Sequence, residues 1–196
     1  MAAMNIPSCV MTIAEETEGF VNGAASRPLP GGGEGATQTL LACGHKLWPL
    51  EGAGSRGRLE VGPRLTLYSH PASRDGRPAA ERRPYDTDIN GVTWDAHSSA
   101  LYLTQGPAVM RVSSDDTAAV VAGALDERGG ADGRGSAARF IIPELLASDG
   151  AGALYVADGD RIRKLQLPPV PGQQGNRGEA LGSQLAGGTG AAGGAA

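Results

Sequence analysis

The sequence predicts an all-β chain built from repeated units of short strands, and three observations carry that prediction. The first is self-similarity. Residues 153–165 read Ala-Leu-Tyr-Val-Ala-Asp-Gly-Asp-Arg-Ile-Arg-Lys-Leu, and 53 positions earlier residues 100–112 read Ala-Leu-Tyr-Leu-Thr-Gln-Gly-Pro-Ala-Val-Met-Arg-Val. Without a gap, Ala100, Leu101, Tyr102 and Gly106 fall on Ala153, Leu154, Tyr155 and Gly159. Self-similarity at such a period marks an architecture in which one unit cannot bury its own apolar face and needs neighbours. The second observation is punctuation: short apolar runs alternate with Gly, Asp, Ser and Pro clusters, as in antiparallel meanders. The third is that no stretch keeps apolar residues at helical spacing over three turns.

The elements follow in chain order. Residues 1–38 hold no sustained period and contain Pro28-Leu29-Pro30 followed by Gly31-Gly32-Gly33, so they read as a flexible leader. Residues 39–88 read as a degenerate or irregular unit. Thr39–Gly44 resembles Ala119–Gly123, and Leu65–Tyr68 stands ahead of Arg74–Arg83 as Ala119–Ala122 stands ahead of Ala131–Phe140. Residues 89–168 hold the clear repeats. In the first, strands are expected at Gly91–Trp94, Leu101–Thr104, Val109–Val112 and Ala118–Ala122, each ended by turn chemistry. In the second they are expected at Pro143–Ala147, Leu154–Ala157 and Ile162–Leu167. A fourth strand is blocked there by Pro168-Pro169-Val170-Pro171, because proline cannot donate to a ladder. Residues 169–196 end in Gly-Thr-Gly-Ala-Ala-Gly-Gly-Ala-Ala, a composition that cannot bury enough surface to order itself.

Composition narrows the function classes. The 196 residues carry a net charge of −4, which gives no general case for nucleic-acid or membrane binding. Cys9 and Cys43 are too few for a disulfide framework and suit a reducing compartment. Glu15, Glu16 and Glu18 stand where a signal peptide would place its apolar stretch, and no run approaches 18 apolar residues. The expectation is a soluble, cytoplasmic or otherwise intracellular protein with no membrane partner.

Chemistry-bearing constellations are sparse. His45, His70 and His97 lack any metal-ligand spacing, and Asp149, Asp158 and Asp160 form no calcium-loop pattern, so no metal is expected. Gly129–Gly135 is glycine-rich but lacks the Gly-Lys-Ser/Thr of a phosphate loop, so no cofactor is expected either. Asp95, His97 and Ser98 share one turn, where neighbouring side chains splay apart rather than align as a relay. Trp94 and Tyr102 suit packing between units better than ligand contact. The nearest nucleic-acid signal is the arginine-rich 55–83 segment, with Arg56, Arg58, Arg74, Arg77, Arg82 and Arg83 as phosphate-binding candidates. Only Tyr68 is near enough to stack on a base.

The string Val121-Ala-Gly123, Asp132-Gly-Arg-Gly135, Ala138-Arg-Phe140, Pro143, Asp149-Gly150, Leu154-Tyr-Val-Ala-Asp158 and Arg161-Ile-Arg163 resembles a blade of an NHL-repeat β-propeller. Residues 89–123 resemble a second, looser copy, in which Gln105 and Ala108 replace the Asp and Arg. The resemblance implies a partial β-propeller of four-stranded blades. It implies structural roles for Asp132, Gly133, Phe140, Pro143, Asp149, Gly150, Tyr155, Asp158 and Arg161, with Asp158 bracing the turn before the third strand. It also implies a non-catalytic module for protein partners. RNA binding through the 55–83 arginines, or a remnant of a propeller lactonase or hydrolase, is the alternative. A closed ring of such units takes about four to eight of them, so homo-oligomerisation is expected to complete one.

Overall fold

The structure, a computed structural model, describes residues 20–51, 60–69, 83–84, 86–114 and 116–169. Its regular structure is all-β, with one 3₁₀ turn at Gly135–Ala137 and no α-helix among the described residues. No helix among them is long and apolar enough to cross a membrane.

Three sheets follow one another along the chain. The first runs in the order β1 (Val21–Pro28), β2 (Thr37–Cys43), β3 (Lys46–Glu51) and β4 (Glu60–Val61). The middle sheet is a meander of β7 (Gly91–Asp95), β8 (Ala100–Gln105), β9 (Ala108–Val112) and β10 (Thr117–Gly123). Two short strands, β5 (Tyr68–Ser69) and β6 (Arg83–Pro84), extend its β10 edge. The third takes β11 (Pro143–Ser148), β12 (Ala153–Asp158) and β13 (Arg161–Gln166). Pairings are antiparallel except that of β5 with β10.

The seven strands of the two clear repeats lie where their alternation and turn residues place them, within a residue or so at each end. The region ahead of them differs from expectation. The segment read as a leader through residue 38 contains β1, and its Pro-Gly run is the loop of the β1–β2 hairpin. That loop is closed by backbone hydrogen bonds from Leu29 N to Ala36 O and from Ala36 N to Gly33 O. Thr39–Gly44 matches the second strand of a meander rather than the fourth, because β2 pairs with both β1 and β3. Tyr68 does not close an earlier sheet; it joins the middle one. Short apolar matches identify a strand but not its neighbours, which cross-strand pairing settles.

Register makes the three meanders equivalent position by position. Cys43↔Lys46, Gln105↔Ala108 and Asp158↔Arg161 close the hairpin between second and third strands. Its first loop residue is a glycine with positive φ each time: Gly44 (55°), Gly106 (48°) and Gly159 (63°). Only glycine enters that region without a Cβ penalty. Counting back from this turn, Leu40, Tyr102 and Tyr155 are equivalent, as are Leu47, Val109 and Ile162.

Successive residues of a strand face opposite sides, so the middle sheet supplies two cores. Val92, Leu101, Leu103, Met110 and Val112 pack with Leu40, Ala42 and Leu47 of the first sheet. Ala100, Tyr102, Val109 and Ala122 pack with Leu154 and Val156 of the third, together with Phe140 from the connecting loop. Every residue of β8 is buried in consequence.

The first strands of the three sheets lie side by side, β1 against β7 and β7 against β11. One device recurs at both junctions. Asn22 Nδ2 donates to the carbonyl of Ile89 (2.7 Å), and Asn90 Nδ2 donates to the carbonyl of Pro143 (3.2 Å). A glycine follows each asparagine. A Cβ on Gly91 would sit 2.5 Å from the Glu144 carbonyl oxygen, whereas one on Gly23 would meet Val92 at an ordinary 3.5 Å. Gly91→Ala is therefore expected to destabilise the protein by about 1–3 kcal/mol through overpacking. Gly23→Ala should be near neutral, and urea denaturation of the two variants checks the contrast.

Candidate functional site

Each sheet has a forward face, toward the next sheet along the chain, and a backward face. On the first sheet the forward positions Leu40, Ala42 and Leu47 are covered by the middle sheet; on the middle sheet Tyr102, Thr104 and Val109 are covered by the third. The equivalent positions on the third sheet are Tyr155, Ala157 and Ile162, where Tyr155 is 42% exposed and Ile162 73%. Tyr102 and Val109, in the same places one sheet earlier, are 2% and 0% exposed. Leu145 on β11, itself 60% exposed, extends this surface. The third sheet thus presents apolar side chains where the other two bury them, and Lys164, opposite Tyr155, puts one cation among them.

Behind this face, two buried carboxylates fix the third sheet in place. Asp95, at the end of β7, is fully buried. It accepts hydrogen bonds from Ser98 N (2.7 Å) and Ser98 Oγ (2.6 Å), and from Ser148 Oγ (2.5 Å) across the sheet boundary. The Ser98 hydroxyl also lies 3.0 Å from that of Tyr102. Burial alone would push the Asp95 carboxyl up; the hydroxyl and amide donors outweigh it and hold the group below the usual carboxylate range. Ser98 bonds directly to Asp95, while the His97 ring lies against Gly152, where a Cβ would come within 2.9 Å of it. The turn therefore holds two sheets together rather than forming a Ser-His-Asp relay.

Asp158, also fully buried, accepts the backbone N–H groups of Ile141 and Ile142 at 2.7 Å each and pairs with Arg163 at 3.1 Å. Arg163 continues to Asp132 (2.7 Å) and to the carbonyls of Ala131 and Arg139, with its guanidinium 5.1 Å from the centre of the Phe140 ring. One arginine and two aspartates thus clamp the loop between the middle and third sheets onto β12 and β13.

The residues of the repeat string divide accordingly. Asp132, Phe140 and Asp158 meet around Arg163. Gly133 lets the loop close on itself, since a Cβ there would lie 2.8 Å from the Ala137 carbonyl carbon. Pro143 is buried and opens β11, where its carbonyl receives Asn90. Asp149 caps the β11–β12 turn by accepting Ala153 N and Ala151 N, bonds that hold its carboxyl below the usual range, and Gly150 takes a φ of 68° there. Tyr155 stands apart on the uncovered face. One expectation needs correction. Asp158 reaches back to the loop at Ile141 and Ile142 rather than bracing the turn after it, and it pairs with Arg163. Arg161 instead lies 3.6 Å from the exposed Asp160. Arg161 and Arg163 lie on the same face of β13, two residues apart; Arg163 is the one that the carbonyls of Ala131 and Arg139 and the Asp132 carboxylate hold against the loop.

Arg56, Arg58, Arg74, Arg77 and Arg82 lie outside the described residues, as do His70 and Cys9, while Arg83 belongs to β6. Cys43 is buried and free, and burial pushes its thiol up, away from reactivity. The uncovered face was legible in principle, since Tyr155 and Ile162 are in the repeat; the recurrence of Asn-Gly at 22–23 and 90–91 was the missed signal for the first sheet.

No protein-family model matches the chain, and no curated protein matches it. A solved structure of a protein of unknown function from Bacteroides thetaiotaomicron VPI-5482 is similar, with 20% identity and a TM-score of 0.47. The match covers 65% of this chain, which spans 32% of that protein's length.

Two predictions follow from the carboxylates. Arg163→Ala leaves Asp158 buried without its cation and should cost about 3–5 kcal/mol, while Arg161→Ala should stay within about 0.5 kcal/mol; thermal denaturation separates them. Because Asp95 binds its proton more weakly folded than unfolded, its contribution to stability is complete above the unfolded carboxylate pKa of about 3.9 and fades as pH falls through the lower folded value. Asp95→Asn should lower stability at neutral pH and flatten the acid limb of the stability profile, measured by urea titrations between pH 2 and 7.

Proposed function

We propose that this chain is a partial β-propeller of NHL-repeat type that acts as a non-catalytic protein-interaction module, docking through the forward face of its third sheet. The observation that carries the reading is the exposure of Tyr155 and Ile162 at positions the first two sheets bury. Covering a side chain such as Ile162 is worth about 1.5–3 kcal/mol, and contiguous exposed apolar surface rimmed by polar groups marks contact sites. The order of four-stranded, four-stranded and three-stranded meanders, with first strands side by side, supports the blade interpretation. The aspartates of the repeat string are engaged in holding the loops, which leaves them with structural work rather than chemistry.

A photo-crosslinking amino acid at position 155 tests this. It is expected to give discrete protein adducts in cells, while the same group at the exposed Leu125 gives none of them. Adducts absent at 155, or identical at both positions, would overturn the reading.

A further inference from the structure

We infer that the partner for the third sheet's forward face is a second copy of this chain, docking head to tail through the backward face of its first sheet. The inference rests on the interaction-module reading and names the partner.

The chain already makes this contact twice. A forward face of the type Leu40-Ala42-Leu47 meets the backward face of the middle sheet, and Tyr102-Thr104-Val109 meets that of the third. One forward face is left uncovered, at Tyr155, Ala157 and Ile162. Among the described residues, one backward face is also left without a sheet upon it. It belongs to the first sheet, where Leu41, Trp48 and Leu50 are half-buried and Val61 is exposed. By register, Leu41 occupies the place of Leu103, Trp48 that of Met110 and Leu50 that of Val112, the residues with which the middle sheet receives its predecessor. Both halves of a contact that recurs inside the molecule are therefore present at its two ends. A surface that fits a different surface of the same molecule generates a heterologous interface, which closes into a ring or extends as a run according to its rotation.

The junction between copies lacks the one device that both internal junctions share. Asn22-Gly23 and Asn90-Gly91 bolt one first strand to the next; the third sheet has exposed Glu144 and Leu145 there instead. Leu145 sets a side chain where a glycine admits the neighbouring backbone, and the asparagine-to-carbonyl hydrogen bond has no counterpart. Contact between copies is thus carried by Leu145, Tyr155, Ala157 and Ile162 without the polar bolt. Association is reversible and depends on concentration.

The test is light scattering behind size-exclusion chromatography on the full chain across a concentration series, with Ile162→Asp and Val61→Asp. Both residues are exposed, so circular dichroism and the thermal midpoint should match those of the unaltered chain. The expected result is a mass that rises with concentration for the unaltered chain and stays monomeric for each variant. Mixing the variants restores a 1:1 dimer, because each retains the face the other lacks. A monomer at every concentration overturns the inference, and so does association that Val61→Asp leaves intact, the mark of a forward-to-forward contact. If the chain is monomeric but the crosslinker at 155 captures other proteins, the second-copy inference fails and the docking reading stands. If it captures nothing, both fail.

Discussion

The double burial of the middle sheet is the constraint on which the rest of the structure depends. A strand with apolar side chains on alternating sides can hide only one face against a single neighbour. In β8 both faces are apolar and every residue is buried, so a layer is required on each side. The first sheet supplies one and the third the other, and the chain connections serve to deliver them. Gly23 and Gly91 belong to the same logic, since they lie where one first strand comes against the next.

Polar groups at the sheet boundaries follow from that packing. Buried carboxylates are costly unless their acceptor sites are filled. Asp95 draws its donors from its own turn and from Ser148, and Asp158 draws them from the loop ahead of β11 and from Arg163. Each carboxylate thereby converts its need for donors into a tie between segments that apolar contact alone would leave free to slide. Thr104 does the same with its hydroxyl, which donates to the Glu144 carbonyl across the boundary.

How much of this was legible in the sequence depended on local turn chemistry. The middle meander and the third sheet were read nearly strand for strand, because Gly106, Gly159 and the Asp-Ser clusters fix where each run stops. The first sheet was missed for the opposite reason. β1 is Val-Asn-Gly-Ala-Ala-Ser-Arg-Pro, with no apolar alternation, and the Pro-Gly run behind it looks like linker until β2 is seen to pair across it. The site was legible in its residues but not in its partners. Tyr155 and Asp158 both stood out from the repeat, yet only register reveals that one faces outward while the other answers Arg163. Arg161 and Arg163 share one face of β13, so alternation does not tell them apart; the position of the loop at Ala131 and Arg139 selects Arg163.

Native-state hydrogen exchange on the full chain tests the central claim most directly, that a doubly covered middle sheet organises the fold. Amides of β8 and β9 are predicted to exchange slowest, opening only with global unfolding, while those of β13 and β4 exchange through smaller local openings. Slowest exchange in the first or third sheet, with β8 no better protected than β13, would contradict the account.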